Sequence, residues 1–364
     1  MGTRNSKLLN ILITAAAFVV IIAGMRAAES LIIQFLISAF IAIICAPPLF
    51  WMQKKGVPTV VAILLIVLGI IVIGSIMTTV IGTSLNDFSR DLPSYQQRLQ
   101  GKTAELLEWL QEKGIDIYKE GLLEAINPGE AMSLVAGLLT KFGKLLTNAF
   151  LILITVIFIL FEASGLPIKL RAALRNPDSS LGGFDVFFNN INRYMALKTL
   201  TSVTTGVAVG VLVTFLGVDY PLLWGLLAFM LNYVPSIGSI IAAIPAVLLA
   251  LIQLGPGSAG FVALGYLIIN LSIGGVIEPK VMGQGLGLST LVVFLSLVFW
   301  GWVLGPIGML LSVPLTMTVK IALDSNEDTR WMAIILGSEV SAEKALNEMS
   351  TTKEADQTDA GLSS

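Results

Sequence analysis

The 364-residue chain has no histidine. Imidazole general bases, histidine-ligated zinc or haem and histidine pH switches are therefore excluded. A single cysteine, Cys45, excludes an intrachain disulfide and a thiolate metal cluster. Charge is scarce: Asp, Glu, Lys and Arg make up 13% of residues, against about 25% in soluble domains. A soluble body of this size could not cover itself with so few. Neither sign dominates, at 22 bases, 24 acids and a net charge of −2, so there is no basic stripe for nucleic acid. No nucleophile–base pair, paired carboxylates or metal cluster appears. The Gly283-x-Gly285-x-Gly287 run follows no strand and is not a nucleotide fingerprint. Nothing points to an enzyme, a cofactor or a metal.

What the chain has is apolar length: 55% of residues are hydrophobic. A spanning helix needs about 20 apolar residues. Leu8–Met25, Leu31–Met52, Thr59–Leu85, Leu145–Phe161, Thr199–Val218 and Ser258–Ile277 each read as spans. Leu8–Met25 has the basic flank of a signal peptide, but its core is too long and another span follows at once, so it reads as an uncleaved first helix. The expected fold is an all-α polytopic integral membrane protein with about eight hydrophobic segments, bathed by the lipid bilayer.

Two polar stretches interrupt the runs. Residues 86–141 form a small helical insertion, with nine acids and five bases between Asn86 and Val135. Residues 163–198 are basic and carry Phe184, Phe187, Phe188, Ile191 and Met195 on one helix face. That stripe packs on the bundle or lies along the interface. Basic residues before the first span, at Lys54-Lys55 and at 163–198 place those segments and both termini in the cytoplasm. The insertion is then extracytoplasmic. The expected organisation is membrane scaffold 1–85, insertion 86–141, a span at 142–162, interfacial segment 163–198, a transport-like region 199–323 and a polar tail 324–364.

Residues 199–323 carry only four charges: Asp219, Glu278, Lys280 and Lys320. Pro221–Leu231 and Ile240–Leu254 flank the polar, broken string Asn232-Tyr233-Val234-Pro235-Ser236-Ile237-Gly238-Ser239. Eleven helical residues reach about 16 Å, half a bilayer. This predicts a re-entrant hairpin; two short full spans joined by a tight loop are the competing reading. Irregular backbone at membrane depth persists only where protein buries it or it lines a cavity, and broken helices gather polar groups for transport sites. Asn232, Tyr233, Pro235, Ser236, Gly238 and Ser239, with Asn270 on the next span, are the candidate substrate-binding set. Glu278, Pro279, Lys280 and Gly283 are candidates for gating or coupling, because Glu278 and Lys280 are opposite charges in a charge-poor stretch. Leu288–Trp300, the break Gly301–Pro306, and Ile307–Leu323 repeat the broken-helix shape.

The strings Asn-Tyr-Val-Pro-Ser-Ile-Gly-Ser (232–239), Glu-Pro-Lys-Val-Met-Gly (278–283), 286–302 and 305–316 resemble the autoinducer-2 exporter family of bacterial membrane proteins. The resemblance extends over 8–324. It implies an inner-membrane exporter of the small polar signal autoinducer-2, assembled as a homo-oligomer of five copies. Some relatives in the wider family are sodium(lithium)/proton antiporters, which keeps that activity, and a passive solute channel, as alternatives.

Overall fold

Lipid offers a backbone no hydrogen-bond partner, so the apolar runs close their bonds within helices. The computed structural model describes residues 2–112, 149–173, 177–235, 237–278, 280, 288–324 and 328–339, with 342, 343 and 346. Among these residues all regular structure is helical. The elements are α1 (Gly2–Ala27), α2 (Glu29–Lys54), α3 (Thr59–Glu112), α4 (Ala149–Ala173), α5 (Pro177–Phe215), α6 (Pro221–Leu231), α7 (Gly238–Leu254) and α8 (Pro256–Asn270). A π-helical segment, Leu271–Ile277, continues α8. Then come α9 (Thr290–Leu310), α10 (Ser312–Asp324) and α11 (Arg330–Leu336).

Five stretches are long and apolar enough to cross a bilayer: Glu29–Lys54, Thr59–Phe88, Ile191–Phe215, Pro256–Ile277 and Thr290–Leu310. Shorter apolar helices add to them, Pro221–Leu231 and Gly238–Leu254 included. Large apolar side chains face outward on these helices: Phe158 is 69% exposed and Phe215 86%. Water would reject such a surface and hydrocarbon accepts it. The chain is an all-α polytopic membrane protein.

Two boundaries differ from the sequence expectation. Helix α3 does not stop where polarity begins at Asn86; it runs on to Glu112, because local composition changes the solvent of a helix without breaking its hydrogen bonds. The interfacial segment and the fifth span are one helix, α5. Of the aromatic stripe, only the Ile191 and Met195 side chains lie among those described, and both are buried. The break in α9 falls inside the expected Gly301–Pro306, at Leu304–Gly305, where Gly305 takes φ +61°. The insertion beyond Glu112, the start of the fourth span and the tail beyond residue 346 lie outside the described residues.

The chain forms two compact units. One comprises Ile44–Leu166 and Met195–Val281. In it α7 packs against α6 and α8, and α3 packs against both α6 and α7. Its core holds Trp224, Leu227, Ala242, Ala246, Leu249 and Val262, all nearly inaccessible. Ala242, Ala246 and Ala250 recur every fourth residue, giving α7 a narrow face against which its neighbours close. The other unit comprises Met1–Ile43, Pro167–Tyr194 and Met282–Ser364. There α9 packs on α1 and α10, and α10 on α11. Ser289 caps α9 by accepting from the Val292 amide at 3.2 Å, and its own amide donates to Leu336 at 3.1 Å.

Candidate functional site

The chain reverses between α6 and α7 without a loop of any length. Amides of Asn232, Tyr233 and Val234 still donate backward, to Ala228, Met230 and Leu231, which tightens the last turn of α6. The Pro235 carbonyl accepts from Ile237 at 2.6 Å. Pro235 itself cannot donate, so the helix ends there. Gly238 then starts α7 directly against the end of α6: a β-carbon at Gly238 would overlap the carbonyl oxygen of Leu231. Only glycine permits that approach.

This tight turn delivers polar side chains into a buried space. Asn232 is 6% exposed and Tyr233 6%. Asn232 Nδ2 donates to Ser202 Oγ at 3.1 Å. Tyr233 Oη donates to Thr199 Oγ1 at 2.9 Å, and its ring meets Phe229 edge-on at 5.7 Å. Ser239 Oγ donates to Asn270 Oδ1 at 2.8 Å. The hairpin end is thus bonded to α5 on one side and to α8 on the other. Burial without partners would cost about 1–3 kcal/mol per group, so these pairings explain how polar residues persist here.

The charged pair is not the one the sequence suggested. Glu278 meets Lys198, 80 residues earlier: Nζ donates to Oε1 at 2.6 Å, with the side chains 5% and 17% exposed. Lys280 is exposed. The physical reason is the π-helical run before Glu278, which alters the direction in which its side chain leaves the helix. Ser236, Pro279 and Gly283 lie outside the described residues.

Residues on α5 were missed by the sequence reading. Lys198, Thr201, Ser202 and Thr205 are all buried. Their spacing, i, i+3, i+4 and i+7, is one helix face. That polar stripe on an apolar helix was a usable signal. It is masked by the change from polar to apolar composition after Lys198, which falls in the middle of α5. Thr201 and Thr205 spend their hydroxyls on the carbonyls of Lys198 and Thr201. The Lys198 ammonium donates to Glu278, while the Thr199 and Ser202 hydroxyls accept from Tyr233 and Asn232 at the hairpin end.

A second polar cluster stands at the opposite end of the hairpin. Tyr95 of α3 donates to Asp219 Oδ2 at 2.7 Å, and Tyr220 donates to Asp91 Oδ2 of α3. Phe88 stacks on Tyr95 at 5.9 Å and meets Tyr220 edge-on at 6.0 Å. The Asp219 amide donates to Gln253 Oε1 at 3.1 Å, and its carbonyl accepts from Trp224 Nε1 at 2.8 Å. Burial, with the bond to Asp91 next, raises the Tyr220 phenol to about 12. Burial and the carboxylate of Asp219 push Tyr95 up as well. Both remain neutral donors at physiological pH.

An open groove of about 820 Å³ runs along α3, α5 and α6, lined by residues such as Met77, Val203, Val207, Leu226 and Phe229. Its lining is almost wholly apolar, which suits hydrocarbon and not a polar solute. The polar chemistry lies instead at the hairpin end. Among the described residues no group of three or more Cys, Asp or Glu is placed to hold a metal.

The sequence matches the family model described as "AI-2E family transporter" over residues 13–327. It is 40% identical over 328 residues to the AI-2 transport protein TqsA of Escherichia coli K12, covering 90% of this chain and 95% of that protein. A putative transport protein of Haemophilus influenzae is 39% identical over 340 residues, 92% of this chain and 98% of the relative. YhhT of Escherichia coli K12, also a putative transport protein, is 37% identical over 329 residues, 90% and 94% of the two chains. Matched nearly end to end by these transporters, the chain is a member of the AI-2E transporter family.

Proposed function

We propose that the protein exports autoinducer-2 across the bacterial inner membrane by alternating access, with both termini cytoplasmic. The observation that carries this is the mutual pairing of buried polar groups at the α6–α7 turn. Asn232, Tyr233 and Ser239 are buried and bonded to protein partners, and the half-buried Asn270 accepts from Ser239. A hydroxyl-rich neutral solute can take over such bonds one for one, so loading exchanges hydrogen bonds rather than creating orphans. The tight α6–α7 reversal enters the membrane and returns to the same face. It moves as a unit, in elevator fashion, and Glu278, through Lys198, locks one side. Pro235, Ser236 and Gly238 shape the turn, while Pro279, Lys280 and Gly283 form the segment beyond the lock. The assembly is a homo-oligomer, as a pentamer.

Efflux of labelled autoinducer-2 from proteoliposomes tests the reading. Wild type is expected to release it saturably, with Asn232→Ala and Glu278→Gln slowed at least about tenfold. Unchanged rates in both variants overturn the site, and absence of release by wild type overturns the substrate.

The buried Lys198–Glu278 pair also favours a second reading, sodium/proton exchange, since an intramembrane carboxylate is a proton or cation carrier. Sodium-driven proton flux in the same vesicles, abolished by Glu278→Gln and without autoinducer-2 release, would replace the first reading with this one. Flux of solute that never saturates would instead identify a channel.

A further inference from the structure

The two halves of the polar site are joined by the π-helical segment Leu271–Ile277. Asn270, just before it, accepts from Ser239. Glu278, just after it, accepts from Lys198. The Glu278 amide donates to the Ile273 carbonyl, five residues back rather than the four of an α-helix. Such segments are rare and concentrate at functional sites. Here the sequence supplies the cause. Gly274 and Gly275 are poor helix formers. Pro279 has no amide to offer and its ring disfavours the carbonyl four residues back, that of Gly275.

Side chains also hold the π register. A β-carbon at Gly274 would lie 3.3 Å from Asn270 Oδ1, the atom that accepts from Ser239. The Asn270 side chain thus folds over its own widened turn and is fixed there by the hairpin. At the other end Lys198 fixes Glu278. If the Glu278 amide moved to the carbonyl of Gly274, the α register, Glu278 would turn by about 100° about the helix axis. Its carboxylate would leave Lys198.

We infer that Gly274 and Gly275 are positioning residues, and that the segment they soften is a two-register switch linking Asn270 to Glu278. In the π register both ends are held, by Ser239 and by Lys198. A solute that takes the hydrogen bond between Ser239 and Asn270 removes one of the two holds. The segment then relaxes to the α register and the ion pair opens. This rests on the polar set being the transport site, and the test separates the two claims.

Nitroxides on Ala196→Cys and Lys280→Cys, both exposed positions, in a Cys45→Ser background report the distance across the ion pair. The protein is measured in lipid nanodiscs by dipolar electron resonance. Wild type is expected to show two separations. Deletion of Gly275, which removes the extra residue, is expected to show one. Gly274→Ala, which keeps the chain length and presses on Asn270, shifts the balance toward the separation of the deletion. A single separation common to wild type and Gly274→Ala overturns the switch, whether or not the deletion assembles. Added autoinducer-2 is expected to move the wild-type balance by about threefold or more. Two separations with a balance that autoinducer-2 leaves fixed keep the switch and overturn the substrate.

Discussion

Lys198 and Glu278 form an ion pair 2.6 Å apart, drawn together from positions 80 residues distant, with the lysine side chain 5% exposed. A charge so enclosed is stable only with its partner. Lys198→Met leaves the carboxylate without a counter-charge and is expected to cost about 3 kcal/mol, the lower end for breaking a buried pair because Glu278 is partly accessible. The double variant Lys198→Met/Glu278→Leu removes both charges and should recover most of that loss. Thermal unfolding in detergent reads the stability directly. With Glu278→Leu measured alone, a double-variant loss equal to the sum of the two single losses would show that the two side chains act independently.

The two places where the chain doubles back share one construction. In the first, a β-carbon at Gly238 would overlap the carbonyl oxygen of Leu231 and stand 3.0 Å from Val234 Cβ. In the second, a β-carbon at Gly308 would overlap the carbonyl oxygen of Trp300 and lie 2.8 Å from Leu304 Cβ. Trp300 Nε1 then donates to Thr316 Oγ1 at 3.0 Å, holding α9 to α10. Each glycine lets a second helical limb start against the end of the first, in the second case within α9, just after its break at Leu304–Gly305. Gly238→Ala and Gly308→Ala should each destabilise by about 1–3 kcal/mol, as overpacking does. Gly260→Ala, an α8 position with open space around it, should be neutral or slightly stabilising. Melting curves of the three variants decide; equal melting of all three would mean the turns relax without strain.

Much of this was legible in the sequence. Apolar run length located Leu31–Met52, Thr59–Leu85, Thr199–Val218 and Ser258–Ile277, each on a helix long enough to cross a bilayer, and Pro235 with Gly238 gave the first reversal. The partner of Glu278 was not legible, because its direction depends on the register of Leu271–Ile277, and single-sequence periodicity assumes one register throughout a helix. The break in α9 was legible within Gly301–Pro306, and Pro306, which clashes with the turn before it, sets it at Leu304–Gly305. The crossed Tyr95–Asp219 and Tyr220–Asp91 bonds join residues 124 and 129 apart. Nothing local to either segment announces them.

That second cluster has a pH signature. Tyr220 donates to Asp91 and its phenol is raised to about 12, above the unfolded value of about 10. A group raised on folding contributes stability in its protonated form. The contribution is therefore full below about pH 10 and disappears as pH climbs through about 12. Ultraviolet difference titration of wild type against Tyr220→Phe should place the phenolate signal of Tyr220 near pH 12. A signal near pH 10 would mean that the phenol is solvated and the bond to Asp91 absent. Tyr220 also sits at φ +60°, the one non-glycine residue with positive φ among those described. Tyr220→Gly would relieve that backbone but lose both the bond and the ring contact with Phe88, so its melting point should fall more than that of Tyr220→Phe.

Stability and transport can be separated at the hairpin end, because Asn232 and Tyr233 differ in what they leave behind. Asn232 serves Ser202, which is wholly enclosed at 0% exposure. Asn232→Ala strips that hydroxyl of a donor and should cost about 1–3 kcal/mol, so its transport defect alone is ambiguous. Tyr233 serves Thr199, whose own hydroxyl already donates to the Met195 carbonyl at 2.7 Å. Tyr233→Phe keeps the ring against Phe229 and leaves Thr199 bonded, so the expected cost falls to about 0.5–1.5 kcal/mol. If the phenol hands its hydrogen bond to the solute during export, Tyr233→Phe should lower efflux several-fold while melting close to wild type. Efflux and melting that fall together, or an unchanged efflux, would assign Tyr233 to packing and leave Asn232, Ser239 and Asn270 as the contact set.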